Sequence, residues 1–348
     1  MRSLAPALLA GLLLILFASG CSSPTEPGDP PDTTEINEDI VQIFDARSRG
    51  RNRQYLMGTW PRRGTIYATA PLSALWVNDA LELIGDSVFV WEGRRFFVEA
   101  AGKSDRLLYV LSEYGDASVG TLYEFDPQTG QTRLLRDSTH AVSSAVYLPG
   151  SGGEKIVYYS YGSVPELGND GPTPGYYLLD TDTGEDSLLL KHRSPAGPEE
   201  AINGFDVSPD GQTLLYPLQY TNIGRFKPPT VLAYDLRAGT RDTLDVSFES
   251  QFVWLRYGPE GRQVAYGTYP FGALGSTDSG RSDRIGVIDL STLEKQVLDT
   301  GTHREGPSLD LFPRWSPSGR HLVYGSAPVA ADRGAIGNYS LYVLKNVN

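Results

Sequence analysis

Short apolar runs separated by turns rich in Gly, Asp, Ser and Thr characterise most of this chain, over residues 39–348. Many runs hold β-branched and aromatic residues, and none keeps a helical period long enough to argue for a helix. One stretch differs, because Leu4–Phe17 is almost wholly apolar. The pattern predicts an all-β domain preceded by a segment of another kind.

One short sequence motif recurs six times along the predicted domain. It begins with Gly or another small or polar residue, continues through two apolar residues and ends on Tyr, as in GEKIVY and GQTLLY. The six tyrosines are Tyr67, Tyr109, Tyr158, Tyr216, Tyr266 and Tyr324. A repeat of roughly 40–50 residues is typical of propeller blades. We therefore predict six repeats, each with one strand that ends on this Tyr.

A second feature follows in four of the repeats. An apolar run ends on Asp126, Asp180, Asp235 or Asp289, and a tight turn comes next. Asp accepts backbone hydrogen bonds in turns, and the Gly that follows three of these residues accepts a positive φ. Each repeat is thus predicted to hold four strands: innermost a, then b ending on Tyr, c ending on Asp, and outermost d.

The last repeat lacks its fourth strand, because the chain stops soon after the c strand predicted at Ser340–Leu344. A strand predicted at Ile40–Phe44 belongs to no repeat. We expect it to supply the missing outer strand and to close the ring, which removes exposed sheet edges. The predicted fold class is an all-β, six-bladed β-propeller with four-stranded blades.

The turn between strands a and b carries a family resemblance. Phe205–Gly211 (FDVSPDG) and Phe312–Gly319 (FPRWSPSG) resemble the WD40-like (PD40) repeat of TolB and of the propellers attached to prolyl oligopeptidases, and Tyr257–Gly261 is a looser copy. The resemblance implies a propeller and says little about function. Neither the N-terminal domain of TolB nor the Gly-x-Ser-x-Gly motif of the peptidases is expected in this chain.

The first residues look like an export signal. Arg2, the apolar stretch and the small residues before Cys21 have the layout of a signal peptide over residues 1–20. Cys21 is the single cysteine and is followed by polar chain, which resembles a lipobox, although Ala18 stands where Leu is usual. The alternative is an ordinary signal peptide with a Cys nearby by chance. We expect lipidation of Cys21.

Residues 21–38 are rich in Pro and polar residues and nearly free of apolar ones, so a disordered tether is predicted there. Residues 39–348 would be the propeller. Ser22 after the Cys resembles the pattern that directs a lipoprotein to the outer membrane. The sequence leaves open whether the protein lies on the periplasmic or the outer surface of that membrane.

Charge and candidate ligands narrow the functions. The formal net charge of −12 argues against nucleic acid as a partner. Only four histidines occur, without HxH or HExxH spacing; His140 and His303 would lie on the same face of a propeller. The run Asp180–Asp186 resembles the start of a calcium loop, yet it falls where a c–d turn belongs. No cofactor, metal or catalytic residue is predicted.

Long b–c connections are the strongest functional signal. They are predicted at Tyr161–Gly175, Gln219–Pro229, Thr268–Arg284 and Ser326–Asn338. Long loops on one face of a rigid scaffold usually carry binding, and Tyr and Arg are enriched at binding hot spots. The candidate partner-binding residues are Tyr161, Tyr220, Arg225, Phe226, Tyr269, Phe271 and Arg284.

The function expected from these features is non-catalytic: a cell-envelope lipoprotein that binds or scaffolds an envelope protein through this face. Two alternatives stay open. One is a propeller enzyme, a lyase or hydrolase acting on sugars or phosphates, and the other is a module that binds a glycan or small ligand.

Overall fold

The computed structural model describes the chain from Ile40 onwards with internal gaps. The described residues are 40–45, 58–62, 64–69, 72–77, 81, 83–90, 94–100, 106–112, 120–162, 171–191, 204–218, 229–248, 252–269, 285–298, 300, 308–328 and 340–347. Cys21, the predicted signal peptide and the predicted tether lie outside them. Within the described residues no helix is both long enough and apolar enough to cross a bilayer.

Nearly all described structure is β-strand, arranged as six four-stranded antiparallel sheets. Apart from the last sheet, each is a run of four consecutive strands. The first three sheets contain β2 (Gly58–Arg62), β3 (Thr65–Thr69), β4 (Leu72–Val77) and β5 (Leu83–Val90); β6 (Arg94–Ala100), β7 (Leu107–Ser112), β8 (Thr121–Asp126) and β9 (Gln131–Arg136); and β10 (Val142–Tyr147), β11 (Lys155–Ser160), β12 (Gly175–Asp180) and β13 (Asp186–Lys191).

The other three sheets follow the same order. They contain β14 (Asp206–Val207), β15 (Thr213–Leu218), β16 (Thr230–Asp235) and β17 (Arg241–Leu244); β18 (Phe252–Tyr257), β19 (Gln263–Tyr269), β20 (Ile285–Asp289) and β21 (Lys295–Val297); and β22 (Ser308–Trp315), β23 (Leu322–Pro328), β24 (Ser340–Leu344) and β1 (Ile40–Asp45). The only described helix is a single 3-10 turn at Ser138–His140.

The first strands of neighbouring sheets contact each other in five pairs. β2 contacts both β22 and β6, β6 contacts β10, and β18 contacts both β14 and β22. The third and fourth sheets share one hydrophobic cluster, which contains Val157 and Leu214. The chain is an all-β β-propeller, as predicted.

The repeated Tyr lies in the second strand of every sheet and is almost fully buried in all six. In the third sheet the Tyr158 ring stacks on Tyr177 of the next strand, with ring centroids 5.3 Å apart. Tyr109 stacks on Tyr123 at the same distance in the second sheet. The strands do not end on this Tyr as predicted, because their pairing with the third strand continues for two more residues in the third, fourth and sixth sheets and for one more in the fifth.

In four sheets the third strand ends on an Asp, which builds the following turn through backbone hydrogen bonds. Oδ1 of Asp180 accepts from the backbone N–H groups of Asp182 and Thr183, and Asp235 does the same for Arg237 and Ala238. The turn predicted at Asp180 is thus present. The hydrogen bond from Thr183 N–H is the main cause that lowers the pKa of Asp180.

The turn after the first strand packs against the corresponding turn of the preceding sheet. Gly211 has φ +73°, and a Cβ atom there would lie 2.7 Å from the carbonyl oxygen of Pro149. Gly261 and Gly319 repeat the arrangement more loosely against Pro209 and Pro259. In these three sheets the turn therefore reverses the chain and also packs its sheet against the preceding one.

The strand that precedes the first sheet completes the last one. β1 pairs antiparallel with β24, with Ile40 opposite Leu344 and Asp45 opposite Ser340. The pairing predicted for Ile40–Phe44 is therefore present. Ile43 is buried with Val343 and Leu341 in one hydrophobic cluster.

Candidate functional site

The connections between strands divide into two faces. In an up-and-down sheet, consecutive connections lie at opposite ends of the strands. We call the end with the a–b and c–d connections the turn face, and the end with the b–c and d–a connections the loop face. The longest turn-face connection is 148–154, whereas the loop face carries 161–174, 192–205, 219–229, 270–284 and 329–339.

Of the seven predicted partner-binding residues, two fall in described strands or loops. Tyr161 begins the connection 161–174 and is half-buried, with its ring edge-on to Tyr159 at 5.4 Å. Its backbone N–H donates to the carbonyl of Ala141. Tyr161 is thus held at the root of the loop, where part of its ring is packed on the core.

The structure corrects the prediction that Tyr269 lies in a loop, because this residue belongs to a strand. β19 extends through Tyr269, which is paired with Phe252 of β18. The prediction failed because it ended every second strand on the repeated Tyr. The remaining candidates, Tyr220, Arg225, Phe226, Phe271 and Arg284, lie outside the described residues.

His140 belongs to an ion-pair cluster at the outer edge of the second and third sheets. Its Nδ1 lies 3.1 Å from Oδ1 of Asp137, and its Nε2 lies 3.9 Å from Oδ2 of Asp186. The same Asp186 oxygen accepts from Arg136 Nε at 2.8 Å and from the Tyr158 hydroxyl at 2.6 Å. Burial and the bond to Asp186 raise the pKa of Tyr158. The contacts of this cluster link the second sheet to the third.

The other histidines give no metal site among the described residues. His321 stacks on Trp60 at 6.0 Å, and burial lowers its pKa. His192 and His303 lie outside the described residues, so the shared face of His140 and His303 stays a prediction. In the part of the chain that the structure describes, no group of three or more His, Cys, Asp or Glu side chains is arranged to hold a metal ion.

Asp310, at the loop-face end of β22, is fully buried. The hydroxyl groups of Thr300 and Ser326 both donate to its carboxylate. The Tyr324 hydroxyl donates to the carbonyl of Thr300 at 3.3 Å. Hydroxyl donors offset the cost of burying a carboxylate, so Asp310 joins β22, β23 and the chain that precedes them.

A cavity of about 450 Å³ opens at the turn face, where the first strands of five sheets converge. Its walls come from the ends of β2, β10, β14, β18 and β22 and from the turns that follow four of them. The lining residues include Trp60, Tyr147, Asp206, Arg256, Tyr257, Arg314 and Trp315, together with Pro149, Pro209, Pro259 and Pro317.

Two arginines dominate the charge of this cavity. Arg256 pairs with Ala265 and Arg314 with Val323, each directly before the repeated Tyr of its sheet. They therefore occupy equivalent positions in neighbouring sheets, and they are only 4% and 5% exposed. Arg256 Nη1 donates to the carbonyls of Phe205 and Leu255, and Arg314 Nη1 donates to that of Pro313 at 3.2 Å.

Asp206 occupies the same position in the fourth sheet, opposite Leu215. Its Oδ1 accepts from the backbone N–H of Val207 and its Oδ2 from that of Tyr257, both at 2.8 Å. The carboxylate thus bridges the fourth and fifth sheets. Burial, and then the charge of Asp206, raise the pKa of Tyr257.

Tyr147 also lines the cavity, but its hydroxyl is used elsewhere. It donates to Oε1 of Glu124 at 3.0 Å, and burial raises its pKa. Glu124 is nearly buried and lies 2.7 Å from Nη2 of Arg133 and 3.4 Å from Nη1 of Arg106. This group joins the second sheet to the third.

Reasoning from the sequence missed Arg256 and Arg314, although a signal was present. Each stands three residues before the Pro of the a–b turn, as do Asp206 and Val146 in their own repeats. Aligning the repeats on that Pro would have shown a column of mixed charge next to a structural turn. A column of that kind is unexpected for buried strand positions.

Comparison of the sequence with known proteins finds a partial likeness. No family model matches the chain. Cat (Felis catus) dipeptidyl peptidase 4 is 25% identical over 150 residues, which is 42% of this chain but only 19% of the length of that enzyme.

Solved structures resemble the chain over most of its length. A chain of a nidogen/laminin complex aligns with a TM-score of 0.51 at 9% identity, covering 83% of this chain and 98% of that one. An oligogalacturonate lyase in complex with manganese gives 0.49 at 12% identity, covering 83% and 76%. A protein described as a TolB from Agrobacterium tumefaciens gives 0.49 at 16% identity, covering 75% and 94%. At identities this low the likeness concerns the fold alone and indicates no function.

Proposed function

We propose that this protein is an exported, lipid-anchored, six-bladed propeller that binds an envelope protein through its loop face. The observation that carries the proposal is the unequal length of the connections on the two faces. The turn face is built from short, repeated turns, while the connections 161–174, 219–229, 270–284 and 329–339 all lie on the loop face. Variable loops on a rigid scaffold are the usual position for partner binding.

In this proposal each four-stranded sheet is one blade, and the pairing of β1 with β24 closes the ring. Closure by a strand from the other end of the domain covers the edge that β24 would otherwise expose. A ring closed in this way gives the loop face a rigid base. Rigidity reduces the entropy that is lost on binding.

The direction of β1 places its start at the turn face. Its first residue, Ile40, pairs with Leu344 at the turn-face end of β24.

The partner interaction is tested by placing a photo-crosslinking amino acid at Tyr220 on the loop face. The matched control places it at Gln128, an exposed residue of a turn-face connection. We expect a discrete crosslinked protein from Tyr220 in intact cells and none from Gln128. Substitution of Arg225 by Ala should weaken that product, because Arg is a frequent hot-spot residue. The same product from both positions would contradict the loop-face proposal.

Lipidation is tested separately with Cys21→Ser and the control Ser22→Ala. The wild type and the control should incorporate labelled palmitate and sediment with membranes, since acyl chains supply the membrane affinity. Cys21→Ser should do neither. Membrane association that persists in unlabelled Cys21→Ser would contradict the anchor and leave the loop-face proposal untouched.

A further inference from the structure

A histidine lies on the turn face where the last sheet meets the first. His321 ends the a–b connection of the sixth sheet, directly before β23. Its ring stacks on Trp60 of the first sheet, with ring centroids 6.0 Å apart and an interplanar angle of 20°. β22 and β2 also contact each other there. We call this contact between the two sheets, together with the chain that follows β24, the seam.

The chain after β24 turns back onto the connection that contains His321. The backbone N–H of Asn346 donates to His321 Nδ1 at 3.3 Å, and that of Val347 donates to the Arg320 carbonyl at 2.8 Å. Val347 is buried in a hydrophobic cluster against which Ile40 of β1 packs. The imidazole therefore helps to hold the residues after β24, and these residues in turn support the docked β1.

The bond from Asn346 fixes the protonation state of the imidazole. A backbone N–H can only donate, so His321 Nδ1 must accept with a lone pair, and the neutral ring carries its proton on Nε2. A protonated imidazolium has an N–H on both nitrogens and no acceptor. Protonation would therefore set two N–H groups against each other and break this bond.

The charged groups around the imidazole also oppose its protonation. Arg320 of the same connection and Lys345 after β24 act on it, and among the residues that the structure describes no carboxylate pairs with it. β2 brings the uncharged ring of Trp60, while the side chain of Arg62 lies outside the description. Burial first, and then Arg320 and Lys345, lower the pKa of His321 from its ordinary value of 6.5. Attraction of a cation to a Trp ring extends to about 6 Å, so at 6.0 Å it is weak.

We propose that His321 is an acid-sensitive clasp of the seam: the neutral ring holds the residues after β24, and protonation releases them and loosens the pairing of β1 with β24. Because the folded state binds this proton less readily than the unfolded chain, the contribution of the clasp to stability is complete above the unfolded pKa of about 6.5 and is lost as the pH falls through the folded-state pKa. The clasp lies on the turn face, so its failure would leave the proposed partner surface untouched.

The first measurement follows the histidine itself. The chain has four histidines, so NMR of their ring C–H groups gives four titrations, and the one that is missing from His321→Asn belongs to His321. We expect its midpoint below 6.5. A midpoint at or above that value would overturn the proposal, because folding would then not favour the neutral ring.

The second measurement is hydrogen exchange at about pH 7.5 and about pH 5, the range in which histidine changes its charge. Correction for the intrinsic exchange rates gives the protection of the seam amides in 40–45 and 340–347. In the wild type this protection should fall roughly fivefold on acidification, which is the effect of losing one hydrogen bond. His321→Asn should stay protected at both pH values, because its side-chain oxygen can accept the Asn346 N–H without titrating.

Two further variants make the comparison specific. His140→Asn is the matched control, since it removes a histidine that contacts Asp137 and Asp186 instead, and its seam should keep the wild-type pH response. His321→Phe keeps a ring that can stack on Trp60 but offers no acceptor, so its seam should be weakly protected at both pH values. Equal protection of the wild-type seam at the two pH values, or the same loss in His321→Asn, would contradict the clasp.

Discussion

The two faces of this propeller differ in how regular their connections are. At the turn face, short connections repeat from sheet to sheet, and Gly211 has no room for a side chain because the backbone of Pro149 is in the way. At the loop face the connections differ in length and sequence, although 161–174 is still packed at its root by Tyr161. We infer that the repeated sequence specifies how neighbouring sheets pack, whereas it does not specify the length or sequence of the loop-face connections.

The largest expected effect comes from the turn face. Gly211→Val should destabilise the protein by about 3 kcal/mol or more, because it combines a left-handed φ with overlap of a backbone carbonyl. Gly130→Val is the matched control, since Gly130 has φ +71° but nothing near its Cβ position, and it should cost about 1–2 kcal/mol. Urea unfolding measures both, and equal losses would show that packing between turns contributes nothing.

A smaller effect concerns acid stability at the same face. The pKa of Asp126 is lowered chiefly by the Gln128 backbone N–H, that of Asp180 by Thr183, and that of Asp289 by the Ser291 hydroxyl. A depressed pKa in the folded state gives stability that is present above the unfolded pKa of about 3.9 and is lost as the pH falls below it. Asn keeps the turn without a charge.

The triple variant Asp126→Asn, Asp180→Asn, Asp289→Asn should therefore lose less of its urea midpoint between neutral pH and pH 3 than the wild type does. The control is Asp182→Asn, which alters an exposed carboxylate in one of the same turns. A triple variant as acid-sensitive as the wild type would mean that these turns do not contribute to the pH dependence.

The smallest effect is expected at the loop face. Tyr220→Ala should change the free energy of unfolding by no more than about 0.5 kcal/mol, as is usual for surface substitutions away from special features. Thermal unfolding checks this, with Tyr161→Ala as the comparison because its ring packs on Tyr159. A large loss in Tyr220→Ala would remove the contrast between the two faces.

Much of the fold could be predicted because its determinants are local. The buried Tyr of each second strand, the Asp that accepts N–H groups two and three residues on, and the pairing of Ile40–Phe44 with the last sheet all follow from short patterns. The prediction that Tyr269 lies in a loop was wrong because strand length depends on pairing with a neighbouring strand, which the repeated motif does not encode.

The cavity could not be predicted for a related reason. Arg256 and Arg314 are far apart in sequence, and only the convergence of the first strands brings them to one space. Neither segment taken alone marks its arginine as a lining residue, because the column of charged residues three positions before the Pro appears only when the repeats are aligned. Loop length, by contrast, can be read from each repeat separately, so the loop face is predictable without the structure.

The pairing of β1 with β24 has a consequence for how the protein folds. Residues from the two ends of the domain must meet, so the last contacts to form are those with the largest sequence separation and the slowest closure. Until β1 docks, β24 presents an open edge. At high concentration a second molecule could fill that edge with its own first strand, which would yield a strand-exchanged dimer assembled from the native pairing itself.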